Sequence, residues 1–132
     1  MPRKPLDLTT YVRLLADCLD LRDWDLTTTT GGLDDDTLAT CAPVYGQRRA
    51  TVTLADGWEK HNPEELRSTI THELIHCHLA NLGHLIESIA SDCLTPEAGK
   101  ILDAAFSLEL EQATDAIACA IAKTLPLWEH KR

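Results

Sequence analysis

Ser68-Thr69-Ile70-Thr71-His72-Glu73-Leu74-Ile75-His76-Cys77-His78-Leu79-Ala80 carries three histidines and a glutamate within seven positions. Its upstream neighbours set its conformation. Asn62-Pro63-Glu64-Glu65 supplies an N-cap, a proline at the first helical position and a glutamate three residues after the cap. Leu66, Ile70, Leu74 and Cys77 then fall along one stripe, so a helix runs through the histidines and on past Gly83 to about Ser91. On that helix His72 and His76 are four apart, which sets their rings on one face a turn from each other.

Working outward, apolar residues at Leu8, Tyr11, Val12, Leu15 and Leu19 have helical spacing. Trp24 to Thr30 is rich in β-formers and stops at Gly31-Gly32, as a strand and turn do. Asp34-Asp35-Asp36 follows in a loop. It lacks the alternating ligand spacing of an EF-hand and reads as a solvated acidic loop rather than a calcium site. Leu38 to Tyr45 forms a second strand broken by Pro43, and Gly46-Gln47 a turn. In Arg48 to Ala55, the residues Ala50, Val52 and Leu54 alternate with Arg49, Thr51 and Thr53, the pattern of a half-exposed strand. Thr95-Pro96-Glu97 opens a further helical region that alanine-rich periodicity carries to about Thr124, before Pro126. The order is helix, small mixed or antiparallel sheet, then two or three helices. That defines an α+β fold in one domain over residues 1–132.

Composition restricts the function. The 132 residues are 44% hydrophobic and 25% charged, ordinary for a globular chain. A net charge of −9 argues against general nucleic-acid binding, which needs clustered Lys and Arg to neutralise phosphates. Asp7, Arg13, Asp17 and Asp20 interrupt the first twenty residues, so they read as neither signal peptide nor membrane span. Five scattered cysteines, Cys18, Cys41, Cys77, Cys93 and Cys119, form no C-x-x-C pair. They read as reduced, mostly buried thiols of a cytoplasmic protein, and a cysteine-based zinc site is disfavoured.

His72, Glu73 and His76 form an H-E-x-x-H motif. Two imidazoles a helical turn apart reach one zinc ion at about 2.0–2.1 Å. Glu73, beside the open coordination position, acts as the base for the attacking water. A catalytic zinc needs a third protein ligand from elsewhere and acceptors that fix the histidine tautomers. Glu111 and Asp115 are also four apart on a predicted helix. Glu111 offers a carboxylate oxygen to zinc, and Asp115 an acceptor for the non-ligating nitrogen of His72. They lie among Ala113, Ala116, Ile117, Ala118 and Ile121, so burying them calls for a compensating cation or hydrogen-bond partners.

His72-Glu73-x-x-His76 followed by Glu111-x-x-x-Asp115 resembles the gluzincin arrangement, and is similar in particular to the minimal gluzincins and the ImmA/IrrE-type metallopeptidases. Ile117, Ala118 and Pro126 extend the likeness, which covers roughly Arg48 to Pro126. The resemblance implies a peptide-bond hydrolase with one zinc per chain, a protein or peptide substrate and no membrane or nucleic-acid partner. It also implies that Thr51 to Ala55 lies beside the cleft, with a free edge for an extended peptide. One departure is the 34 residues between His76 and Glu111, room for an extra helix that serves as a lid or blocks a long substrate.

Alternatives stay open at this point. The metzincin pattern is excluded, because Leu79 and Leu82 stand where it has glycine and histidine. His84, after Gly83, competes with Glu111 as third ligand in the manner of SprT-like proteases. His78 points about 200° around the helix from His76 and reads as a surface or satisfied residue. Tyr45 and His61 are candidates for steadying the oxyanion by residue type alone, and His130 has no local partner. Two other function classes compete: a non-catalytic zinc-binding adaptor or regulatory module, and a metal-free helical interaction protein.

Overall fold

Asp7 starts the chain's first helix, its carboxylate accepting from the Thr10 N–H at 2.7 Å. In the computed structural model, which describes residues 6–129, this helix is α1 (Leu8–Cys18). It buries Leu8, Tyr11, Val12, Leu15 and Ala16, close to the face its spacing predicts. Three strands follow, β1 (Asp25–Thr30), β2 (Ala39–Pro43) and β3 (Arg49–Leu54), then a short 3₁₀ turn (Trp58–Lys60). Two long helices complete the fold, α2 (Pro63–Asp92) and α3 (Pro96–Ala122). Asn62 caps α2 through the Glu64 N–H at 2.8 Å, and Thr95 caps α3 through the Ala98 N–H at 3.2 Å. The fold is α+β, with a mixed sheet.

The strand order is β1-β3-β2. β3 pairs parallel with β1, Leu26 opposite Ala50, and antiparallel with β2, Cys41 opposite Val52. The β2–β3 hairpin turns at Gly46, whose φ of +73° is one that side chains other than glycine's resist. This order corrects one expectation. Thr51 to Ala55 has no free edge, since β3 is the central strand; the edge strand packed beside α2 is β2.

Ala50, Val52 and Leu54 point to the covered face of the sheet and are fully buried. They meet Leu66, Ile70 and Leu74 of α2 and the apolar face of α1 in one core. The chain beyond α3 returns to that core. Arg67 donates to the Leu125 carbonyl, the Tyr11 hydroxyl to the Pro126 carbonyl and the Trp128 indole to the Leu6 carbonyl, each at 2.9 Å.

Between His76 and Glu111 there is no separate lid helix. Those residues extend α2 and begin α3, so the two form a long helical hairpin. Gly99 permits its close crossing: a Cβ there would lie 2.4 Å from the Ala90 carbonyl oxygen. The expectation of mostly buried thiols also fails. Cys77 is buried and Cys41 half-buried, but Cys18 at the last residue of α1, Cys93 at the C-cap of α2 and Cys119 on α3 are exposed. Among the described residues no helix is long and apolar enough to cross a membrane. His130 lies outside the described residues.

Candidate metal centre

The cap at Asn62 and the stripe Leu66, Ile70, Leu74, Cys77 fix the rotation of α2 against the sheet. That rotation turns His72, Glu73 and His76 toward the cleft beside β2 and α3. The His72 and His76 rings meet edge to face, centroids 5.0 Å apart, with their Nε2 atoms 3.3 Å apart. α3 crosses opposite them and delivers Glu111. Its Oε2 lies 3.1 Å from His72 Nε2 and its Oε1 3.0 Å from His76 Nε2. Among the described residues, His72, His76 and Glu111 form the group that can hold a metal ion.

These separations test which ion the group fits. A tetrahedral zinc with bonds of about 2.0–2.1 Å sets its ligand atoms about 3.3 Å apart along each edge. The imidazole nitrogens, 3.3 Å apart, match that edge, while Glu111 faces each of them with a different oxygen, and one ligand atom from each of the three residues lies within 4.8 Å of the others. Asp115 Oδ1 stands 3.4 Å from His72 Nδ1, a placement that favours the tautomer with its proton on that nitrogen. His72 Nε2 then presents a lone pair to the Glu111 carboxylate, an arrangement a shared cation stabilises.

Exposure departs from expectation. Glu111 and Asp115 were expected to be buried among apolar neighbours, yet their side chains are 57% and 69% exposed, and Ala113, Ala116 and Ile117 are exposed with them. α3 rests on α2 by a narrow stripe that includes Thr114 and Ala118. The case for a cation therefore rests on convergence of the ligand atoms and not on burial of the acids.

Glu73 sits next to His72 in a cleft of about 500 Å³ that Thr40, Cys41, His76, Leu110 and Glu111 also line. Burial pushes its carboxyl above the ordinary glutamate range, with the neighbouring His72 opposing that shift. The backbone of Cys41, across the cleft, weakly opposes that shift as well. The sheet register explains why the Cys41 N–H is available. Leu38 and Val44 bond to β3, so alternate residues between them do too, and Cys41 directs its N–H outward from the edge. Burial also lowers the His76 pKa, which favours the neutral, ligating imidazole.

The remaining candidates separate clearly. His84 and Tyr45 line the same cleft but stack on each other, centroids 3.5 Å apart and 21° from parallel, outside the converging group. His61 precedes α2, three helical turns from Glu73, with Glu65 4.0 Å away. His78 is exposed and its Nε2 bonds the Leu19 carbonyl at 2.7 Å. Asp34, Asp35 and Asp36 lie exposed in the β1–β2 loop. Three features had no legible signal in the sequence: the placement of Cys41 and Glu73 in one cleft, the Tyr45–His84 stack, and a 3.7 Å contact between the sulfurs of Cys41 and Cys77. In that last pair the shared S–H···S bond holds the proton on Cys41 and favours the thiolate at Cys77. In comparisons with known proteins, this chain matches no protein-family model, no curated protein and no solved structure.

Proposed function

We propose that this chain is a zinc metallopeptidase of the gluzincin kind, cleaving a peptide bond in a protein or peptide substrate. One observation carries the reading: two imidazole nitrogens and a carboxylate, from α2 and α3, converge within 4.8 Å of one another, with a second carboxylate, that of Glu73, beside them. His72, His76 and Glu111 hold the ion, and Asp115 orients His72. Bound there, zinc supplies a Lewis acid for the scissile carbonyl and for the developing oxyanion. Glu73 takes the proton of the attacking water and returns it to the departing amide nitrogen, and its raised pKa suits it to both directions.

The edge of β2 is where an extended substrate pairs. Pro43 has no N–H and the Cys41 N–H faces the Glu73 carboxylate, so this edge offers chiefly the carbonyls of Ala39, Cys41 and Pro43. The substrate strand therefore contributes N–H groups. Tyr45 and His84, at the cleft wall, are positioned to contact its side chains.

Elemental analysis of wild type and Glu111→Gln, purified side by side without added metal, tests the site. About one zinc per chain is expected in wild type, from the single three-ligand group, and clearly less in the variant. Absence of zinc from wild type, with no thermal shift when zinc is added, overturns the reading. A zinc-loaded chain that cleaves no member of a peptide library would instead be a non-catalytic zinc module.

A further inference from the structure

Cys41 and Cys77 are 36 positions apart in sequence, yet their sulfurs lie 3.7 Å apart across the β2–α2 junction. Cys41 lines the cleft that holds Glu73. Cys77 lines a second depression of about 600 Å³ on the other side of the junction, bounded by Trp24, Arg48 and His78. Each cysteine thus borders a hollow large enough for a small oxidant, although Cys77 itself is only 3% exposed. The other three cysteines are exposed at the end of α1, after α2 and on α3.

We propose that Cys41 and Cys77 are an oxidative modification site, which a peroxide converts to a reversible disulfide. One sulfur, as thiolate, attacks a peroxide oxygen, the O–O bond breaks, and the departing hydroxide leaves as water after protonation. The sulfenic acid so formed is attacked by the second sulfur, the S–O bond breaks, and a second water leaves. Two thiols and one hydrogen peroxide thus give one disulfide and two waters, the sulfurs losing the two electrons that the peroxide oxygens gain. Bonding distance for the sulfurs is about 2.05 Å, so they need approach by less than 2 Å from their reduced positions.

The bond would tie the edge strand to the helix at a residue that lines the same cleft as Glu73. It draws β2 toward α2 and narrows the cleft where a peptide pairs. That consequence, a fall in hydrolysis on oxidation, rests on the peptidase reading; the thiol chemistry does not.

The test uses the full reduced chain. Hydrogen peroxide is titrated in, remaining thiols are alkylated under denaturing conditions, and the digest is read by mass spectrometry. Expected is joint loss of the Cys41 and Cys77 peptides into one cross-linked species lighter by two hydrogens, restored by dithiothreitol. The species should persist in a chain carrying Cys18→Ser, Cys93→Ser and Cys119→Ser, and vanish in Cys41→Ser. The proposal is overturned if both thiols stay alkylatable at peroxide levels that modify the three exposed cysteines. It is equally overturned if the two oxidise singly to sulfinic acid. Zinc binding with hydrolysis but no cross-link would sink this proposal alone, whereas a cross-link in a chain without zinc would sink only the peptidase reading.

Discussion

At the scale of single residues, four side chains near the centre have separable parts, and substitution can distinguish them. His72→Ala and His76→Ala remove ligands and should abolish stoichiometric zinc, because two protein donors are too few for a stable site. Glu73→Gln should retain zinc near wild-type stoichiometry and lose hydrolysis, since the amide keeps the shape but cannot take a proton. Asp115→Ala should lower zinc affinity by about 10–100-fold, the usual effect of removing the partner of a ligating histidine. Competition against a fluorescent zinc chelator measures zinc affinity in all four, and a peptide-cleavage assay reads the loss in Glu73→Gln. Unchanged affinity in Asp115→Ala would show that the 3.4 Å contact does not orient His72. The spacing of four on each helix, His72 to His76 and Glu111 to Asp115, made these residues legible in the sequence, because helical geometry alone puts each pair on one face. That Asp115 meets Nδ1 while Glu111 meets Nε2 depends on how α3 crosses α2, which no local pattern encodes.

At the scale of elements, local signals served well and pairing signals did not. Asn62-Pro63 and Thr95-Pro96 start α2 and α3 where the capping chemistry requires, and β3 alternates as its residues dictate. The strand order was hidden, because Thr51 and Thr53 look equally exposed whether β3 is central or at an edge. The hairpin was half legible: the run past Gly83 to about Ser91 and the fresh start at Thr95 mark both helices, but nothing local encodes that α3 folds back along α2 instead of adding a lid. A close backbone approach lies at Gly99. Gly99→Ala gains helix propensity of about 1 kcal/mol but sets a methyl 2.4 Å from a backbone oxygen that cannot rotate away. The helices must part, and overpacking of this kind costs about 1–3 kcal/mol. Urea denaturation should therefore show a lower midpoint with an unchanged slope. A higher midpoint would mean that the crossing yields at no cost. Zinc binding should survive either way, because Gly99 lies more than three turns from Glu111.

At the scale of the whole molecule, α3 is held at its two ends and, on the zinc reading, clamped between them. Its start packs on Ala90 through Gly99, and the chain after its end is tied down through Leu125, Pro126 and Trp128. Between those anchors much of the helix faces solvent, with Ile101, Leu108 and Ile117 exposed. A metal shared by His72, His76 and Glu111 fastens this lightly packed stretch to α2, which already belongs to the core. A ligand that binds only the folded state adds stability by mass action, about 2.7 kcal/mol at a free concentration 100 times its Kd. Zinc should therefore raise the melting temperature, and a chelator should reverse the rise. Hydrogen exchange should locate the gain: protection rises most in the middle of α3 and beside His72 and His76, and least in α1 and β1, which the core orders without the metal. A melting temperature indifferent to zinc would remove the clamp. A rise with protection spread evenly over the chain would place the metal elsewhere than between α2 and α3.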